Sequence, residues 1–228
     1  MGDMAIQARA EATREKIIAA AVDLFSRLGY GETGLSEVID QAGVSKGAFY
    51  YHFESKEALA GAIIQAGTGQ LLDLFNAITG AQSPALQNTI AATFAIAELT
   101  REDTMARTAN QLRQCLSQVS AAGSPTYRYT VDAFRLQVDK AIGEGDVEID
   151  VDPEDLAETI CVSVLGCHLL SDAMGDDLFA RLTRAWRIML RGSVPYSSRR
   201  YFDDFLSRTS LQYLRSGALP QESFQVVG

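Results

Sequence analysis

Gly43-Val44-Ser45-Lys46-Gly47-Ala48-Phe49-Tyr50-Tyr51-His52-Phe53 holds four aromatic side chains in five positions and no acidic residue. On a helix, residues four apart share a face, so Phe49 and Phe53 point the same way while Tyr50 and Tyr51 must turn partly elsewhere. One reading is an ordinary aromatic core helix; the other is a helix that shows its surplus aromatics to solvent or to a partner. Ser45 is placed to cap the helix start. Lys46, His52 and Lys56, with the hydroxyls of Ser45, Tyr50 and Tyr51, suit phosphate oxygens, as do the free N–H groups of a helix amino terminus. Gly47 leaves no side chain between the helix and a groove.

Upstream, Ile17, Ala21, Leu24 and Leu28 recur at helical spacing and predict a first helix ending near Leu28, where Gly29-Tyr30-Gly31 breaks the pattern. Leu35, Val38, Ile39 and Ala42 predict a second helix of about two turns, stopped by Gly43. Two short helices joined by a tight Gly-containing turn are the layout of a helix-turn-helix. Longer helices follow. One is predicted from Lys56 to about Ile78, one from Ser83-Pro84 to about Leu99, and one from Ser124-Pro125 to about Gly143. Asp152-Pro153-Glu154-Asp155 opens another with an acidic first turn, and a last is expected from about Asp177 to Leu190. The alternation from Asp146 to Asp152 has no partner strand and reads as an extended loop. Gly67 and Gly69, inside a helical pattern, mark either a flexible point or a tight packing contact. The expected fold is all-α: an amino-terminal three-helix unit over residues 1–55 and a larger helical unit over residues 56–228.

Composition narrows the function. The chain has 228 residues, 47% of them hydrophobic, enough for a well-buried core. Its net charge of −9 speaks against nucleic acid as a whole-molecule property. The acid-free run from Gly43 answers that objection locally. Residues 1–16 lack the apolar segment of a signal peptide, and the near-apolar run Thr159–Leu170 is shorter than a bilayer crossing, so a cytoplasmic protein without membrane contact is expected. Three cysteines, Cys115, Cys161 and Cys167, fit reduced thiols. No nucleophile elbow, P-loop or zinc-protease motif is present, which argues against an enzyme, and neither cysteine pairs nor histidine clusters have metal-ligand spacing. No cofactor or metal is expected.

The segment Thr33–Lys56 resembles the DNA-binding domain of TetR-family repressors. That resemblance implies that Thr33, Ser45, Lys46, Gly47, Tyr50, Tyr51, His52 and Lys56 meet phosphates or base edges of double-stranded operator DNA. The chain has Thr33-Gly34 where the family often opens its second helix with a pair of threonines, leaving Thr33 and Ser36 as the hydroxyls at hand. Farther on, Glu148–Asp152, Cys161–Gly166 and Trp186–Pro195 are similar to the γ-butyrolactone receptor subgroup, which implies a small hydrophobic effector such as a γ-butyrolactone. The tryptophan that subgroup commonly carries between Tyr127 and Ile142 is absent here. Tyr127, Val131, Phe134 and Val138 form one apolar stripe, read either as core or as a pocket wall. Cys115 and Trp186 complete the candidate ligand-binding set, Trp186 serving equally well as a packing anchor.

Leu156–Leu170 is apolar around most of its circumference, so burial on two sides is expected, the second side supplied by a homodimer partner through this helix and the one after it. The function expected is an effector-released repressor of a near-palindromic operator. The alternative is a small-molecule-binding or interaction module that has lost operator recognition.

Overall fold

The computed structural model describes residues 2–81, 84–116 and 124–216, and every regular element within them is helical. In order these are α1 (Gly2–Leu28), α2 (Leu35–Ala42), α3 (Lys46–His52), α4 (Lys56–Thr79), α5 (Ala85–Glu102) and α6 (Thr104–Leu116). There follow α7 (Ser124–Glu144), α8 (Pro153–Met174), α9 (Leu178–Ser193), a single 3-10 turn (Tyr196–Ser198) and α10 (Arg199–Ser216). The chain divides into two compact units, residues 1–73 with 99–128, and residues 74–98 with 129–228.

In the first unit Ile17, Ala21 and Leu24 of α1 are buried as their spacing requires, but Leu28 is exposed and Phe25 takes the inward place. Gly29 then turns the chain with φ of 87°, a backbone region that carries no steric penalty only for glycine. At the end of α2, Gly43 adopts φ of 63° and its N–H returns to the carbonyls of Ile39 and Asp40. Ser45 caps α3, its Oγ accepting from the Ala48 N–H at 3.1 Å. Phe49, Phe53, Val38, Leu59 and Ile63 meet Ile17 and Phe25 in one core, which Ala109 and Leu112 of α6 complete. Sequence periodicity missed α6: its inward face is Ala106, Ala109 and Leu112, small and interleaved with buried Thr108, Asn110 and Arg113.

The second unit has its own core, from Phe75 through Phe94, Phe134, Val138, Ile160 and Leu182 to Phe202 and Leu206. Trp186 lies at its centre, 1% exposed, and its Nε1–H donates to Thr93 Oγ1 at 2.8 Å. Phe94, Phe179 and Tyr213 stack beside it, with centroids 5.3 to 6.2 Å apart. Asp152 caps α8 by accepting from the N–H groups of Glu154 and Asp155, and Asp177 caps α9. Between α7 and α8 the acidic alternation is a loop: Val147 is buried, Ile149 is exposed, and the Glu148 N–H donates to Ser193 O at 2.8 Å. The last helix, α10, escaped notice although Phe202, Leu206, Thr209 and Tyr213 repeat at helical spacing. Of the Ser83-Pro84 start expected for α5, Ser83 lies outside the described residues.

Helices α4 and α8 do reach the length and apolar composition of a bilayer crossing, which the near-apolar run Thr159–Leu170 did not reveal. Each has a face buried in protein: Leu59, Ala60 and Ile63 on α4, and Leu156, Ala157, Ile160 and Val164 on α8.

Gly67 and Gly69 separate by environment. A methyl added at Gly67 would stand 2.3 Å from Ala109 Cβ, whereas one at Gly69 would meet nothing within 4 Å. Gly67 is a close packing contact between α4 and α6. Gly67→Ala is therefore expected to destabilise the chain by about 1–3 kcal/mol through overpacking. Gly69→Ala should stabilise it by up to about 1 kcal/mol through helix propensity, and urea unfolding followed by circular dichroism reads both signs. In the other core, Thr93→Val leaves the Trp186 N–H buried without its acceptor, at a cost of about 1–3 kcal/mol. Trp186 is the sole tryptophan, so its fluorescence reports that unfolding directly.

Candidate nucleic-acid interface

The geometry of α3 follows from two aromatic anchors. Phe49 is fully buried and Phe53 nearly so, with ring centroids 5.9 Å apart. With that side fixed inward, the helical period carries the intervening side chains outward. Tyr50 is 46% exposed, Tyr51 79%, and Lys46 lies open to solvent with its ammonium 6.0 Å from the Tyr50 ring. Ser45 and Gly47 are also exposed, and a side chain at Gly47 would meet only Ser45 Oγ, at 4.0 Å. His52 is half-buried, its ring edge-on to Tyr51 at 5.0 Å. An open groove of about 600 Å³ runs beside this end of the helix, lined by Gln7, Ala8, Ala10, Glu11, Tyr51 and His52. Ser45, Lys46, Gly47, Tyr50 and Tyr51 thus share an exposed surface, with His52 at its edge.

Thr33 and Lys56 behave differently. Thr33 is 2% exposed, and its hydroxyl donates to Gly29 O at 2.8 Å, closing the turn between α1 and α2. Lys56, half-buried at the start of α4, donates from Nζ to Tyr30 O at 2.5 Å and Thr33 O at 2.7 Å, and sits 4.2 Å from the Tyr30 ring centre. The Tyr30 hydroxyl donates to Glu57 Oε1 at 3.3 Å. Burial, reinforced by the negative Glu57 and the hydrogen bond to it, pushes the Tyr30 phenol up to about 12, so it remains a donor at any physiological pH.

The other candidate set divides between the two units. Cys115 is exposed on α6, and Tyr127 is half-buried beneath the Arg113 guanidinium, 4.9 Å from its ring centre; both belong to the first unit. Val131 is half-buried, while Phe134 and Trp186 are core residues of the second unit. Phe134 meets Phe75 edge-on at 5.1 Å. Gln137, one turn beyond Phe134, was not singled out in the sequence. It is buried, and its Oε1 has no hydrogen-bond partner among the described residues. A polar residue next to an apolar stripe was the available signal.

Comparison with known proteins agrees with this geometry. Residues 17–63 match the profile of bacterial regulatory proteins of the tetR family, and residues 83–195 match a tetracyclin repressor-like C-terminal domain. The A-factor receptor protein of Streptomyces griseus is 32% identical over 189 residues, 82% of this chain and 66% of that receptor's length. The chain spans only 16% to 28% of the next relatives it matches. A solved γ-butyrolactone receptor, ArpA-like, superposes with a TM-score of 0.74 at 32% identity, covering 90% of this chain and 99% of its own. The TetR family protein CprB of Streptomyces coelicolor, solved in complex with its biological operator sequence, gives 0.71 at 32% identity with the same coverage. With this identity holding over nearly the whole of both solved relatives, the chain belongs to the TetR family of bacterial regulators.

Proposed function

We propose that this chain is a ligand-responsive repressor that binds a near-palindromic operator as a homodimer and releases it on binding a small hydrophobic effector. The observation that carries the reading is the outward face of α3, where Lys46, Tyr50 and Tyr51 lie in solvent because Phe49 and Phe53 are anchored in the core. Two adjacent exposed tyrosines offer a partner both ring surface and hydroxyls. A duplex covers them well: Lys46 and the tyrosine hydroxyls meet phosphates, while Gly47 lets the backbone approach base edges. Ser45 and His52 complete the contact surface. Residues 1–55 act as reader, and residues 56–228 as sensor and dimerisation region, in a cytoplasmic protein that works by binding rather than by turnover. The alternative of a module without operator recognition is not favoured, since it leaves the exposed face of α3 without a task.

The effector reading draws on the names of the relatives, which point to γ-butyrolactones, and on the second core. Among the described residues Gln137 Oε1 is a buried acceptor without a donor, a group that a ligand hydroxyl or N–H would satisfy. Val131 and Phe134, on the same helix, supply apolar surface.

The dimer reading draws on α8 and α9, which leave Val162 67% and Ile188 73% exposed, with Leu169 and Met174 also open. A second copy of the chain would cover them. Val162→Glu is expected to convert a dimer to monomer in sedimentation at micromolar concentration, with helix content unchanged; a dimer that persists would move the interface elsewhere.

The regulator reading is tested by a mobility shift on the DNA upstream of the chain's own gene, with and without a panel of lactones. Lys46→Ala is expected to weaken binding about tenfold and to flatten its salt dependence by about 0.9 for each copy of the lysine on the duplex. Absence of any salt-sensitive complex with the unaltered chain would refute the reading.

A further inference from the structure

Lys56 is the basic residue whose position in the chain suggests a phosphate contact and whose surroundings say otherwise. Of the three protons on its ammonium, two are directed at backbone carbonyls, Tyr30 O at 2.5 Å and Thr33 O at 2.7 Å. The Tyr30 ring lies 4.2 Å away and the Phe25 ring 6.0 Å, so the charge faces two π systems as well. The next residue of α4, Glu57, accepts from the hydroxyl of that same Tyr30. Lys46 provides the contrast: its ammonium has solvent around it and a single ring at 6.0 Å.

We propose that Lys56 is a positioning residue rather than a DNA contact: it clamps the first turn of α4 to the carbonyls of the α1–α2 turn and so fixes where α3 is presented. The inference rests on the regulator reading and deepens it. The turn from Gly29 to Thr33 offers carbonyls that no helix satisfies, and Lys56 satisfies two of them from residues 23 and 26 positions away. Thr33 closes the turn internally through Gly29 O, and Gly34 begins α2 immediately after it. A displacement of the start of α4 must therefore drag the turn and the root of α2 with it, or break two charge-assisted hydrogen bonds.

Salt dependence separates a positioning lysine from a phosphate-binding one. A lysine on phosphate releases counterions, so its loss flattens the plot of log affinity against log salt; a lysine that acts through the fold shifts the whole line and leaves its slope alone. Operator affinity is to be measured at several salt concentrations between about 50 and 200 mM for the parent, Lys56→Met, Lys56→Arg, Tyr30→Leu and the Lys56→Met/Tyr30→Leu double variant. Lys56→Met is expected to lose about tenfold in affinity at every salt concentration with the parent's slope. Lys56→Arg, which keeps a cation on the ring and donors for both carbonyls, should recover most of that loss. Tyr30→Leu leaves both carbonyl acceptors in place and removes only the ring beside the ammonium and the hydroxyl bond to Glu57, so it should lose less than Lys56→Met, at the parent's slope, and the double variant should lose less than the sum of the two. A second double-mutant cycle on thermal unfolding reads the same coupling without DNA, and where Lys56→Met does not fold, Tyr30→Leu carries the test through its own parallel shift. A slope that flattens by about 0.9 per copy in Lys56→Met, or additive losses in the double variant, overturns the clamp and leaves the regulator reading standing. Failure of the parent itself to bind overturns both.

Discussion

A helix of seven residues cannot hold itself together in water, because too few hydrogen bonds form to offset the backbone entropy of the first turn. Helix α3 therefore exists only through the burial of Phe49, which is completely removed from solvent among Ile17, Val38 and Leu59. Burying a phenylalanine stabilises by about 1.5–3 kcal/mol, which offsets the backbone entropy of about two residues of that helix. That single anchor also sets the rotation of the helix about its axis. Because the period is fixed, turning Phe49 inward leaves Lys46, Tyr50 and Tyr51 no choice but solvent, so the same interaction that folds the reader aims it.

The elements that could be read from sequence are those whose signals are local. Gly43 at a left-handed backbone position, Ser45 as a cap, Asp152 before Pro153 and the four-residue spacing of Phe49 and Phe53 each state their structure within a few residues, and each stands where it was expected. Helix α6 was missed although Ala106, Ala109 and Leu112 recur at helical spacing, because these few apolar residues stand among Thr108, Asn110 and Arg113, polar residues whose type alone places them in solvent. The fate of Lys56 was hidden for a different reason. Its acceptors are carbonyls of residues 30 and 33, and a backbone carbonyl has no side-chain identity to betray it. Thr33 was masked in the same way, since its partner is Gly29 O. Trp186 illustrates a third kind of limit: a large apolar residue looks the same in sequence whether it lines a pocket or fills a core, and its burial and its hydrogen bond to Thr93, 93 positions away, place the indole in the core.

Gly34 shows how a departure from the expected pattern is absorbed. Without a hydroxyl at that position, α2 lacks the usual side-chain acceptor for its first N–H groups, yet glycine at a helix start costs only a few tenths of a kcal/mol relative to serine or threonine. Glu37 reaches back instead, its Oε2 accepting from the Gly34 N–H at 2.7 Å. The carboxylate closes the helix start from the other side, and with an acidic group in the first turn it also matches the helix dipole.

The same economy of carboxylates resolves the conflict between an acidic chain and a polyanionic partner. Net charge is a property of the whole molecule, whereas attraction between a side chain and a phosphate is decided within about 8 Å at physiological ionic strength. In the first unit Glu37 is engaged by the Gly34 N–H, Asp23 by Gln41 at 2.7 Å and Arg27 at 2.8 Å, Glu57 by Tyr30, and Glu11 by Arg14 at 3.5 Å. The Gln41 and Arg27 contacts hold the Asp23 carboxyl below its ordinary value, so its negative charge is already answered inside the protein. The run from Gly43 to Phe53 adds no acid of its own. The outward face of α3 therefore presents Lys46 and the tyrosine hydroxyls, and the distribution of charge over the surface, rather than its sum, governs what such a face can bind.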